Sequence, residues 1–359
     1  MICKKIIYRN FRNIENAIIE PSSGVTVLNG DNGQGKTNML EGIYIFARGK
    51  SFRTLHEDDL IKFGEDIAEI KLVYESYGVE NELSIMLIRH GRKRIFKRNG
   101  NVISRNSEII GLFNAVMFCP QQISVITGGP GERRQFLNIA ISQIDNSYLK
   151  SLQKYNRILE QRNSLIKSYI YGGKKPGFEE TAEALTVQLC REWKYISEKR
   201  HEYAEKLGEL ANRFICEITS GNEEISISYP AGKSGEEYRR IFEEGFEREI
   251  KYGMTLFGAH REDMTISLSG NPIKDFGSQG QQRTALLSMK LAEGEIINLE
   301  TNHYPVFLLD DILSELDEKR RAYLLKELCG KQVIITSCDR IETSGKLYKV
   351  SEGNAVLTE

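Results

Sequence analysis

The sequence predicts an α/β fold: a head built on a mixed sheet, into which a mainly helical lobe is inserted. Two observations carry this. Short apolar runs of buried-strand type stand near both ends of the 359 residues, "VTVLN" from Val25 and "VFLL" and "VIIT" after Tyr304, so one core must draw strands from both ends. Between them the apolar residues change to helical spacing. Leu149, Leu152, Tyr155, Leu159, Ile166 and Tyr169 recur on one helix face, and Leu185, Leu189, Trp193, Ile196, Tyr203, Leu207, Leu210 and Phe214 on another.

In chain order, "KKIIYRNFRN" and "AIIEPSSGVTVLNG" read as strands, and the second ends at a glycine-rich loop that leads into the helical pattern "TNMLEGIYIFA". A β stretch follows. "EIKLVYES" and "NELSIMLIRHGRKRIFKRNGNVIS" are punctuated by His90-Gly91 and Asn99-Gly100 in the manner of hairpin turns. The two long helical patterns are separated by "YGGKKPGF", a glycine- and proline-rich turn, so they form an antiparallel hairpin; whether it projects or lies flat is left open. Strand patterns return in "EISISYP" and "DMTISLSG". These limits give residues 1–115 as the N-terminal part of the head, 116–250 as the inserted mainly helical arm, and 251–359 as the C-terminal part of the head.

Composition excludes several classes. Lysine and arginine number 49 against 50 aspartate and glutamate, so any basic surface must be local. The six cysteines show no CxxC spacing, which argues against a zinc site or disulfide framework and for a reducing cytoplasm. No leader-like N-terminus and no run of about eighteen apolar residues is present, so a cytoplasmic protein without a membrane span is expected.

"GDNGQGKT" fits G-x-x-x-x-G-K-[ST] at every fixed position, follows an apolar strand and opens a helix, as a phosphate-binding loop requires. Gly30, Gly33 and Gly35 let the backbone aim N–H groups at a phosphate. Lys36 reaches the β- and γ-phosphates, and Thr37 offers its hydroxyl to Mg²⁺. A carboxylate at the end of a buried strand completes such a site, and "PVFLLDD" supplies Asp310 with Asp311 next. Strand alternation would turn the two to opposite sides, one for the metal and one for an attacking water.

A second glycine-led helix begins at "FGSQGQQRT". Gly277, Ser278, Gln279 and Gly280 form a candidate anion-binding helix N-terminus, whose ligand is the γ-phosphate held by another copy of the chain. Basic residues crowd one hairpin, Arg89, Arg92, Lys93, Arg94, Lys97 and Arg98. Arg92, Arg94 and Arg98 are expected on one open strand face with Ile95 inward, a row suited to sequence-independent DNA phosphate contacts. His260, Arg261 and Asp263 read as a structural hydrogen-bonding corner rather than a catalytic trio.

The order of P-loop, insertion, "GSQGQQR", "LLDD" and "SELD" resembles the ATP-binding-cassette and SMC-type ATPase heads. "NFRN", "GDNGQGKTN", "KSFRT", "GERRQFLN", "GAHREDM" and "SQGQQRT" together resemble the RecF family across nearly the whole chain. That resemblance implies an ATP- and Mg²⁺-dependent homodimer with weak, DNA-stimulated ATPase activity. It would clamp DNA at junctions of single and double strands, work with RecO-like and RecR-like partners in recombinational repair, and help load recombinase.

Carried onto these residues, Gly30, Asp31, Asn32, Gly33, Gln34, Gly35, Lys36, Thr37, Asn38 and Arg12 bind nucleotide. Thr37, Asp310 and Gln121 serve the metal, and Asp311 and Lys36 the chemistry. Gly277, Ser278, Gln279, Gly280 and Gln281 meet the partner's ATP, and Asp317 lies at the dimer seam. Two departures stand out. Gln121 and Gln122 occupy the place of an acidic pair, leaving the metal-sensing glutamine open between them, and Thr336 stands where transporter cassettes carry a switch histidine. Asp311 in place of the glutamate many cassettes use fits slow hydrolysis, because the shorter arm holds its water less well. The competing classes are a transporter ATPase subunit and a nucleotide-gated protein scaffold that binds no DNA.

Overall fold

The computed structural model describes residues 1–54, 56–91, 93–173, 176–339, 341 and 344–358. The chain divides into two compact units, one of residues 1–123, 213–222 and 283–359 and one of residues 124–212 and 223–282. These limits differ from those suggested by the sequence. The strand expected to open the arm belongs to the head's sheet, so the first unit runs on to Ile123, and residues 251–282 stay with the helical unit because their strands pair within it.

The first unit contains two six-stranded sheets. One is antiparallel, built from β1 (Ile2–Phe11), β2 (Ile14–Ile19), β4 (Ile67–Ser76), β5 (Val79–Ile88), β6 (Lys93–Arg98) and β7 (Asn101–Val102) in the order β2-β1-β4-β5-β6-β7. The other comprises β3 (Val25–Asn29), β8 (Ala115–Phe118), β12 (Val306–Asp310), β13 (Val333–Ser337), β14 (Lys346–Ser351) and β15 (Asn354–Leu357), ordered β15-β14-β3-β13-β12-β8. All its pairings are parallel except β14 with β15. The P-loop strand β3 thus lies between two strands from the far end of the chain, as apolar runs at both ends require.

Helix α1 (Lys36–Arg48) packs on both sheets, and its whole core-facing side is buried. Close approach is set by Gly42, where an added Cβ would stand 2.5 Å from the Tyr8 ring. Tyr8, itself buried, donates its hydroxyl to Met39 O at 2.6 Å, satisfying the one polar atom it brings into the core. The β6–β7 turn matches its sequence signal: Asn99 and Gly100 have φ of 48° and 79°, the two positive values a tight type I′ hairpin demands.

The second unit holds α2 (Ser124–Thr127), α3 (Pro130–Ser142), α4 (Asn146–Gly172), most of α5 (Phe178–Thr219), α6 (Gly235–Tyr252), α7 (Ile273–Phe276) and the first turn of α8 (Gln279–Thr301). It also holds a three-stranded antiparallel sheet of β9 (Ile225–Ser228), β10 (Thr265–Leu268) and β11 (Asn271–Pro272). Ser151 bonds Glu192, Arg162 bonds Thr186, and Tyr169 stacks on Phe178, so α4 and α5 run antiparallel as a hairpin.

A third helix covers that hairpin. Trp193 lies 4.1 Å from the Tyr238 ring of α6, and Arg162, 1% exposed, is held at 2.6 Å by the fully buried Glu249. "GERRQFLN" and "GAHREDM" meet in this unit: Arg133 grips Asp263 with two bonds of 2.9 and 2.6 Å, and Arg134 reaches Glu262 O. His260 receives or donates a 2.7 Å bond with the Tyr155 hydroxyl and faces Thr255 O at 3.2 Å. Asp263 is thus occupied by Arg133 and His260 by Tyr155. The remaining helix of the first unit, α9 (Glu318–Glu327), begins at Asp317.

Candidate nucleotide-binding site

Strand β3 ends at Asn29, and the loop Gly30–Gly35 turns the chain into α1. Gly35 has φ of +107°, closed to other residues, and an added Cβ would also lie 2.8 Å from the Asn13 carboxamide. At Gly30 an added Cβ would come within 2.2 Å of Val350 O, so β14 can lie beside the loop only because that position is glycine. The loop is braced from two sides. Gly30 N and the Asn29 amide donate to carbonyls at and just past the end of β13, while Glu352 N and Gly353 N donate to Gln34.

Gly35 at the head of α1 supplies no side-chain cap and no acidic residue stands in the first turn, so among the described residues the leading N–H groups and dipole are turned to the cleft. Lys36 is folded back on the loop, donating to Gly30 O and to Asp31 O at 2.9 Å, with Cys338 Sγ at 3.3 Å. A cleft of about 370 Å³ opens here. It is lined by Asp31–Asn38 together with Asp310, Asp311 and Thr336, and also by Asn13 and Arg53.

Asp310 ends β12, 4% exposed, where burial raises its carboxyl pKa above the usual range while the hydroxyls of Thr37 and Thr336 oppose the shift. Those hydroxyls donate to the same Oδ1 at 2.8 and 2.9 Å. A buried carboxylate that accepts the P-loop threonine and a second hydroxyl, open to a cleft, is the oxygen set Mg²⁺ takes when substrate phosphates supply the rest. The residues fit the ion. Asp311 leaves the strand in the left-handed region, φ 51° and ψ 21°, and its N–H bonds the Thr336 hydroxyl at 3.0 Å. The expectation that strand alternation aims Asp311 is therefore corrected: a turn aims it, and it still lines the cleft with Asp310.

The other anticipated site residues are placed as follows. Arg12 does not line the cleft; its guanidinium binds Glu41 through Nε and Nη2 and Asp59 O through Nη1. Gln121 is exposed just past β8, and Gln122 buries its Oε1 without a hydrogen-bond partner among the described residues; neither lines the cleft. Ser278 and Gln281 close a reciprocal cap on α8, Ser278 N to Gln281 Oε1 at 2.8 Å and Gln281 N to Ser278 Oγ at 3.3 Å. Gly277 precedes that cap, and Gln279 and Gly280 lie between its two partners. Asp317 caps α9 by accepting from Arg320 N at 2.9 Å.

On β6 the register reverses the expected face. Phe96 is fully buried, so Arg94 shares its inward side, lying over the Phe96 ring and bonded to Gly49 O and Glu57. Lys93 and Arg98 are exposed and Lys97 half-buried, whereas Arg92 lies outside the described residues. Asn13 and Arg53 were missed as cleft residues. Their motifs are visible in the sequence, but nothing local to them points at the P-loop.

A P-loop strand inside a parallel sheet, a metal-type aspartate on the second strand away, an antiparallel sheet over α1 and an inserted helical hairpin define a P-loop ATPase head of the SMC kind, and the RecF/RecN/SMC N terminal domain family matches residues 2–357. A DNA replication and repair protein RecF of Clostridium botulinum (strain Eklund 17B / Type B) is 38% identical over 367 residues, 99% of this chain and 100% of that protein. The chain belongs to the RecF family of DNA replication and repair proteins. A solved structure of the recombination mediator protein RecF-ATP in the RecFOR pathway superposes with a TM-score of 0.93 at 34% identity, over 99% of this chain and 97% of that one. An Smc head bound to the C-winged helix domain of ScpA shares the fold alone, with a TM-score of 0.59 at 14% identity over 100% and 97% of the two chains. Membership in a family of replication and repair proteins removes the transporter reading. No helix among the described residues is long and apolar enough to cross a membrane.

Proposed function

We propose that this protein is a cytoplasmic, Mg²⁺-dependent ATPase of recombinational DNA repair, whose ATP-bound form pairs head-to-tail and holds DNA where single- and double-stranded regions meet. The observation that carries the reading is the cleft itself: an uncapped helix N-terminus, Lys36, Thr37, Asp310 and Asp311 converge on one space. The RecF-ATP structure, similar over 97% of its length, supports ATP as the nucleotide.

The N–H groups of the loop and Lys36 bind the β- and γ-phosphates, which requires Lys36 to leave the carbonyls of Gly30 and Asp31 for the ligand. Thr37 and Asp310 would hold Mg²⁺, which when bound screens the polyphosphate charge. Asp311 orients water on the γ-phosphate and takes its proton, and hydrolysis is slow because the short side chain must act from a turn. The partner copy presents Ser278 and Gly280 to the γ-phosphate, and Ser278 N can turn to it only by leaving Gln281 Oε1. Lys93, Lys97 and Arg98 supply sequence-independent phosphate contacts, and RecO-like and RecR-like proteins use the DNA-bound dimer to load recombinase at gaps.

Sedimentation of the wild type, Ser278→Arg and Asp311→Asn with ATP, ADP and no nucleotide tests the central step. ATP should dimerise the wild type and Asp311→Asn, the latter for longer, while Ser278→Arg binds ATP and stays monomeric. An oligomeric state indifferent to ATP would end the shared-site reading. Salt-insensitive or absent DNA retention by the ATP dimer would favour a nucleotide-gated scaffold instead.

A further inference from the structure

The side chain of Glu41 is fully buried on the second turn of α1, yet it ties together three segments that surround the cleft. Its carboxylate receives Arg12 through two bonds of 2.9 and 2.8 Å, the Ser51 hydroxyl at 2.5 Å, and Arg53 Nη1 at 3.7 Å. A buried carboxylate needs compensation, and one guanidinium gripping it twice already provides the charge. The further partners both come from the turn at residues 51–54.

Ser51 does more than donate. Its Oγ accepts the N–H groups of Arg53 and Thr54 at 2.9 and 3.0 Å, so the bond to Glu41 anchors the turn that carries Arg53. Arg53 is thereby located twice, by its backbone through Ser51 and by its own guanidinium. From there Arg53 Nη1 donates to Asn38 Oδ1 at 2.6 Å, and Asn38 donates to Asn13 Oδ1 at 2.8 Å; Arg53, Asn38 and Asn13 all line the cleft. Two guanidiniums share one carboxylate, which leaves the cluster a net positive charge on the side of Arg53, whose side chain is 42% exposed.

We propose that Glu41 is a positioning residue for the nucleotide: it holds Arg53 on the cleft wall so that the guanidinium meets the polyphosphate without having to be ordered when the ligand arrives. The inference rests on the nucleotide reading of the cleft. Glu41 touches neither the cleft nor the reacting atoms, so it acts through Arg53, and removing either should have the same effect as removing both.

The test is calorimetric titration with ATPγS and with adenosine for the wild type, Glu41→Gln, Arg53→Ala, the double variant, Ser51→Ala and Lys36→Ala, each with its melting temperature. Removing one charge-assisted hydrogen bond predicts about a tenfold weaker ATPγS affinity for Arg53→Ala and for Glu41→Gln, with adenosine binding unchanged and the double variant also about tenfold weaker. Ser51→Ala, which spares the Arg12–Glu41 pair, should weaken ATPγS binding about threefold and covers the case in which Glu41→Gln does not fold. The inference is overturned if Glu41→Gln or Ser51→Ala folds and binds ATPγS as the wild type does, or if the losses multiply to about a hundredfold in the double variant. Lys36→Ala separates the two claims. If it binds ATPγS as tightly as the wild type, the nucleotide reading fails; if it alone loses binding, only the role of Glu41 fails.

Discussion

Thr336 donates its hydroxyl to Asp310 Oδ1 at 2.9 Å and, with the same oxygen, accepts the N–H of Asp311 at 3.0 Å. One side chain on β13 thus sets the direction of the metal-type carboxylate and anchors the left-handed turn that carries its neighbour. Thr336→Val keeps the volume and removes both bonds. ATP turnover should fall about tenfold or more while nucleotide affinity changes little, since a misplaced water-orienting group affects the transition state more than binding. Thr336→Ser should restore most of the rate, and comparison of kcat with the ATP dissociation constant for the three proteins checks this.

Asp310 is expected to trade stability for function. Burial raises its folded pKa, so the stability it contributes is present below the ordinary carboxyl value near 3.8 and lost as pH rises through the raised one. At neutral pH the buried charge is a cost. Asp310→Asn keeps acceptors for Thr37 and Thr336, and should raise the metal-free melting temperature by about 2–4 °C at pH 7 while abolishing the stabilisation that Mg²⁺ with ATP gives the wild type. Thermal unfolding with and without ligand measures both.

His260 gives the opposite sign of test. Burial pushes its pKa down to about 4, so it is neutral at physiological pH. A depressed histidine contributes stability above its unfolded value near 6.5 that is lost as pH falls towards 4. His260→Gln should flatten the decline in stability over that window and leave the pH profile of ATP hydrolysis between pH 6.5 and 8 unchanged. A shift in that profile would return His260 to the chemistry.

The basic hairpin predicts a split among its cations. Alanine at Lys93, Lys97 or Arg98 should reduce the slope of log K for DNA against log salt by about 0.9 for each phosphate no longer neutralised, without affecting the fold. Arg94→Ala should leave the slope unchanged and destabilise the protein by about 1–3 kcal/mol, because Gly49 O and Glu57 lose their partner. Fluorescence titrations at several salt concentrations and melting curves distinguish the two effects.

The hairpin also shows where local pattern stops being decisive. The period of two was right for β6, but which parity faces the core depends on pairing with β5, where Phe96 lies opposite Ile85 and Arg94 opposite Leu87. A phenylalanine among five basic residues was the available cue, since it is the side chain that most requires burial. Asp311 failed differently. Alternation applies only while the chain remains a strand, and β12 ends one residue earlier.

By itself the sequence determined the P-loop, the hairpin turns, the long helices and the apolar strand runs at each end, because each is written in residues within a few positions of one another. Local sterics and periodicity act over that range. Only the tertiary structure decided that Thr37 and Asp310, 273 residues apart, share a hydrogen bond, that Arg12 serves Glu41 instead of the cleft, and that Arg53 belongs to the cleft wall. Those choices follow from strand order and from the demand that every buried charge find a partner, and that demand is met between segments that no local signal connects.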